Sequence, residues 1–206
     1  MPEPLLVIAC GALAREIAQL RKMPGLEHIH LKYLNARLHN TPLEIPAELR
    51  KKIRQYRSQY ANIFVAYAEC GTRGGIDRVL EEEGIERLPG AHCYQFFAGQ
   101  KAFVRLSDDE PGTFYLTDFL LRNFDRLVIK ALKLDQHPEL LPDIFGNYRR
   151  LVYLAQTECR DLQKAAVQAA ADLGLEYKYV FTGYGELEIG LRQALARHYT
   201  CTETQK

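Results

Sequence analysis

Four of the five cysteines, Cys10, Cys70, Cys93 and Cys159, stand at or just beyond the ends of predicted strands, and Cys10 and Cys70 are each followed by glycine. In an open α/β fold such turns gather on the carboxyl edge of the sheet, where ligands bind, so thiols distant in sequence can meet there. His39 and His92 follow strands in the same way. Thiolates and imidazoles are preferred ligands of zinc, and three cysteines with an open position also suit an iron–sulfur cluster. Cys10, Cys70 and Cys93 are therefore the candidate metal ligands, with His39 or His92 completing or supporting the set. No CxxC or HExxH spacing is present, so the case rests on where the strands end.

A glycine after the cysteine leaves room for a ligand or cluster, and a helix starting just beyond directs N–H dipoles at the turn, which favours thiolate. Taken singly, each cysteine is more simply explained as inert packing, because cysteine is among the most buried residues. The shared edge is what singles out three of them. Cys159 lies several residues past its strand, near a helix start that Asp161 is better suited to cap, and Cys201 sits in a polar tail as an exposed spectator. A metal-free alternative makes Cys70 or Cys10 a nucleophile activated by a helix N-terminus and a histidine.

Thr72-Arg73-Gly74-Gly75 is the candidate cofactor-binding turn. Its backbone N–H groups could cradle an anion, and Arg73 could pair with the carboxylate or phosphate of a small-molecule ligand. The chain lacks GxGxxG after its first strand and lacks GxxxxGK[ST], which removes most support for dinucleotide or nucleoside-triphosphate binding.

The elements that must position these residues alternate along the chain. Leu5–Ala9 is a continuous apolar run, as in a strand buried on both faces, and Leu13–Met23 repeats apolar residues at helical spacing until Pro24-Gly25. His28–Leu34 is a second strand, and Pro46 opens a charged helix through about Tyr60. Ile63–Tyr67 is a third strand, followed by the glycine-rich turn and a helix over Ile76–Glu83 that Gly84 closes. Ile85–Leu88 is a short fourth strand and Tyr94–Ala98 one or two helical turns. Between 107 and 146 the pattern reads as a loop and two helices, Leu116–Leu134 and Pro138–Phe145, forming a helical insertion across the sheet. Leu151–Ala155 and Tyr177–Phe181 restore the strands, with helices over Asp161–Leu173 and from about Gly185 to His198. This order predicts a single α/β domain over 1–206, with a largely parallel sheet covered by helices on both faces and a flexible tail at 200–206.

With 206 residues, 47% of them hydrophobic and 26% charged, the chain can bury one sizeable core. A formal net charge of +1 argues against an extended nucleic-acid surface, and Arg50-Lys51-Lys52 reads as the solvated face of a helix. The apolar run near the N-terminus is too short for a secretory signal core, and no stretch approaches the length of a membrane span. A cytoplasmic location is expected, without membrane or nucleic-acid partners, and there the cysteines stay reduced.

Several short motifs, taken in order, carry a family resemblance. Cys10-Gly11, Leu38-His39-Asn40, Tyr67 with Cys70-Gly71, the His92-Cys93 turn leading to Gly99, and Gly112-Thr113-Phe114-Tyr115-Leu116 resemble the domain of unknown function 1638 family. The likeness spans Leu5 to about Phe181. It implies an association with corrinoid-dependent methyltransferases of one-carbon metabolism, and so a corrinoid protein or methyltransferase as partner. The role implied is catalytic or supporting, near methyl transfer. The family pattern often has an aspartate before the third cysteine, where this chain has His92. A third reading is a non-catalytic partner that uses 107–146, with Phe114, Tyr115, Phe119 and Phe124, as its contact surface.

Overall fold

The computed structural model describes residues 4–203, with side chains described through His198. The chain forms two compact units, one running to Phe96 and resuming at Tyr184, the other spanning Phe97–Gly183.

The first unit is built on four parallel strands, β1 (Leu5–Cys10), β2 (Ile29–Leu34), β3 (Ile63–Ala66) and β4 (Glu86–Arg87), in the order β2-β1-β3-β4. Leu5 lies opposite Ile29, and Ala9 lies between Tyr33 and Ala66. β1 is central, and Leu5 to Ala9 are all buried, as its continuous apolar run requires. Leu6 and Ile8 point to one face, where they pack in a core with Leu49 and Ile53 of α2 (Ile45–Tyr56) and Ile76, Val79 and Leu80 of α3 (Gly75–Glu83). α2 and α3 approach closely because Gly75 has no side chain: a Cβ there would stand 2.6 Å from the Pro46 ring. α1 (Ala14–Leu20) follows β1, and the last helix, α9 (Gly185–Glu203), packs on β3. The chain moves from β1 outward to β2, then crosses back to β3 and β4. The direction of winding therefore reverses between β1 and β3, which is where open α/β sheets bind ligands at their carboxyl ends.

The second unit has its own parallel sheet. β5 (Thr113–Thr117), β6 (Arg150–Ala155) and β7 (Glu176–Phe181) lie in the order β5-β6-β7. Its helices include α5 (Gln100–Asp109), α6 (Asp118–Arg122), α7 (Leu141–Phe145) and α8 (Arg160–Leu173). The α/β class and parallel pairing are as the sequence predicts, but the strands divide between two sheets. The segment read as a helical insertion supplies β5, because Thr-Phe-Tyr-Leu-Thr is rich in the β-branched and aromatic residues that suit a pleated surface. The helix read from Leu116 to Leu134 shortens to α6, followed by a π-helical turn over Asp125–Ile129.

α9 continues to Glu203, through the first residues of the expected tail; the Cys201 side chain and residues 204–206 lie outside the described residues. Among the described residues, no helix is long and apolar enough to cross a membrane.

Candidate functional site

Cys10 is the last residue of β1 and precedes a 3-10 turn, Gly11–Leu13. A Cβ on Gly11 would stand 2.5 Å from the Leu34 carbonyl oxygen and 2.8 Å from the Ala36 nitrogen. The glycine is thus required by the backbone leaving β2, not by a ligand beside Cys10. That backbone enters a second 3-10 turn, Ala36–Asn40, begun by Asn35, whose side chain accepts the Arg37 N–H at 3.0 Å. This turn carries His39.

Cys70 lies in the left-handed backbone region with φ 54°, and Gly71, Arg73 and Gly74 are left-handed as well. Such a conformation costs a residue with a side chain about 1–2 kcal/mol, so the turn needs an internal support. Glu69 supplies it: its carboxylate accepts the Gly71 N–H at 2.8 Å, the Gly74 N–H at 2.9 Å and the Thr72 hydroxyl at 2.7 Å. Burial opposes the Glu69 charge, but the Gly74 N–H, the Thr72 hydroxyl, the Gly71 N–H and the nearby Arg87 outweigh it and hold its pKa below the ordinary value. The Gly75 N–H donates to the Thr72 carbonyl at 3.1 Å. In the turn read as an anion cradle, these donors are therefore engaged internally, and Arg73 is exposed.

Cys93 opens α4 (Cys93–Ala98), and the loop before it is tied to the Cys70 turn. The Glu69 N–H donates to the Gly90 carbonyl at 3.0 Å and the Cys70 N–H to the Ala91 carbonyl at 2.8 Å. Arg87 forks onto Asp77 at 2.6 and 3.1 Å and also donates to the Leu88 carbonyl at 2.6 Å. The Gln95 side chain accepts the Ala91 N–H at 2.9 Å.

The result is one pocket of about 70 Å³ lined by Cys10, Cys70 and Cys93 together with His39 and His92. Ile45, Tyr67 and Tyr94 complete its walls. Cys159 belongs to the other unit, where it precedes α8. Among the described residues, no group of three His, Cys, Asp or Glu side chains is arranged to hold a metal ion as it stands.

Desolvation dominates the electrostatics. It raises the Cys10 pKa despite the N–H groups of Ala12 and Leu13, pushes Cys70 up to about 12, and raises Cys93 well above the ordinary thiol value. The thiols add to one another's shifts: Cys10 raises Cys70, and both raise Cys93. The sequence-based expectation of helix-activated thiolates is thus reversed, because loss of solvation outweighs the dipoles at the turns. Desolvation of the His39 ring lowers its pKa and favours neutral imidazole, although the residue as a whole is exposed.

Several structural features around the pocket and beyond it escaped the sequence reading, which names Tyr67 only within a family motif. Glu69 and Arg87 shape the pocket through backbone contacts that no motif announces. Tyr67 lies just past the end of β3 and is 1% exposed, yet its hydroxyl has no hydrogen-bond partner among the described residues. In the second unit, Asp118 is fully buried at the carboxyl ends of the strands. It accepts the Tyr153 hydroxyl at 2.8 Å, the Gln156 N–H at 3.0 Å and the Thr157 hydroxyl at 2.5 Å, while its own N–H donates to the Gln156 side chain at 2.9 Å. This satisfied network staples β5 to the turn after β6.

The first unit is of the open α/β class, with a thiol-lined pocket at the switch point of a parallel sheet. The chain belongs to the family described as "Protein of unknown function (DUF1638)", whose model matches residues 33–191. The matched span includes His39, Cys70, His92 and Cys93 and begins after Cys10. No curated protein and no solved structure matches the chain.

Proposed function

We propose that the three-thiol pocket is a metal centre, taking zinc or an iron–sulfur cluster through Cys10, Cys70 and Cys93, with His39 or His92 as further donor or support. The observation that carries this reading is the convergence of sulfur and nitrogen donors from four strand-end turns on one pocket. The chemistry of the donors fits. Three desolvated thiols that raise one another's pKa are poor thiolates alone, and a bound cation offsets both the desolvation and the repulsion. The same shifts weigh against a metal-free thiol nucleophile, which needs a lowered pKa. Among the described residues these side chains are not grouped as ligands, so a metal centre here requires them to draw together.

Held by Cys10, Cys70 and Cys93, zinc would supply Lewis acidity or an activated thiolate, and an iron–sulfur cluster would supply an iron able to bind substrate. The chain's own residues shape the site: Glu69 and Arg87 fix the turns, and neutral His39 keeps a lone pair for coordination or for a proton. Service to corrinoid-linked one-carbon or methyl-transfer metabolism rests on the family resemblance. Retention of a corrinoid protein or methyltransferase from cell extract supports it, and failure to retain either counts against it.

Anaerobic titration of metal-free protein with zinc tests the centre. Zinc at one equivalent is expected to release protons and to protect Cys10, Cys70 and Cys93 together from alkylation. Unchanged alkylation at all three sites contradicts the proposal.

A further inference from the structure

We propose that the Tyr67 hydroxyl is the hydrogen-bond donor that orients a small neutral, oxygen-bearing ligand in the thiol pocket. The inference rests on the pocket being a ligand site, as above, but not on the metal.

Tyr67 is almost wholly buried and lines the pocket, and its hydroxyl makes no hydrogen bond among the described residues. An orphaned buried hydroxyl is destabilising, and phenylalanine would fill the same core position without that cost. The polar group nearest in effect is the Cys10 thiol, a weak acceptor that does not satisfy the hydroxyl in hydrogen-bond geometry. A tyrosine hydroxyl carries its proton at neutral pH and can donate it. It is therefore a donor awaiting an acceptor.

Two features define that acceptor. A cavity of about 70 Å³ holds on the order of five water-sized centres, so the part of a ligand enclosed beside Tyr67 is small. Neither lysine nor arginine is among the described residues lining it. An anion would find no paired cation there and is disfavoured. A carbonyl or alcohol oxygen fits the donor, with a short carbon skeleton against Ile45 and Tyr94.

Acetone and acetate, equal in heavy-atom count and opposite in charge character, are the probes. Their binding to wild type and Tyr67→Phe is followed by tyrosine-ring and backbone NMR shifts, in metal-free and zinc-loaded protein. Acetone is expected to shift the pocket signals of wild type and to bind Tyr67→Phe about three- to tenfold more weakly, while acetate binds neither. Tyr67→Phe should also unfold at the same or a higher temperature, a result that a structural role for the hydroxyl would not give. No acetone binding to wild type, equal affinity for both proteins, preference for acetate, or a clear loss of stability overturns the proposal. Zinc stoichiometry in the same samples reports separately on the metal centre.

Discussion

At the scale of the residue, protonation is the governing quantity. In the metal-free protein Cys10, Cys70 and Cys93 should react with iodoacetamide at pH 8 much more slowly than in urea, by mass mapping of the alkylated sites. An unfolded thiol releases its proton near the ordinary value of 9.0, whereas Cys70 in the fold keeps it until about 12. Between those values the unfolded chain binds fewer protons than the native one, so stability falls as pH rises. Urea midpoints should therefore drop between pH 8.5 and 10.5, and the drop should shrink in Cys70→Ser. Glu69 has the opposite sign: its depressed pKa gives stability that is present above the ordinary carboxylate value and lost as pH falls through the folded one. Removing its side chain in Glu69→Ala should cost about 1–3 kcal/mol, measured by urea unfolding at pH 7, and should release the left-handed turn that holds Cys70.

At the scale of the element, backbone approaches decide where those residues meet. Gly11→Ala drives a Cβ into the chain leaving β2, and should cost about 2 kcal/mol or more while shifting the NMR signals of His39. Gly84→Ala is the informative contrast. Its Cβ meets nothing within 4 Å, so only the left-handed strain of about 1–2 kcal/mol remains, with His39 unmoved. In the second unit Asp118→Ala should cost about 3 kcal/mol by the same measure, because the Tyr153 and Thr157 hydroxyls and the Gln156 N–H lose a buried acceptor.

These elements also show what was legible beforehand. β1 and β3 were readable because a buried parallel strand is an unbroken apolar run, and their ends fixed Cys10 and Cys70 on one edge. β5 was not, since Thr113–Thr117 is short and merges with the apolar residues of α6, so periodicity alone favoured a helix. Gly11 was legible as special but for a different reason, because the chain that fills its missing side chain comes from β2. Glu69, Arg87 and the orphaned Tyr67 hydroxyl depend on tertiary contacts, which leave no local pattern.

At the scale of the whole molecule, two parallel sheets replace the expected one, and the thiol pocket is assembled entirely by the first unit. The winding reversal between β1 and β3 gives that pocket its place, and the Cys93 loop closes it through backbone hydrogen bonds to the Cys70 turn. Family membership covers the larger part of the chain and adds no reaction of its own. The proposed metal centre therefore stands on the donors. It is decided by the metal content of protein purified without oxygen, for wild type and for Cys10→Ser, Cys70→Ser and Cys93→Ser. Zinc or iron near stoichiometry is expected in wild type, with a marked loss in each variant that remains folded; wild-type protein free of both metals, or variants that retain them in full, rules the centre out.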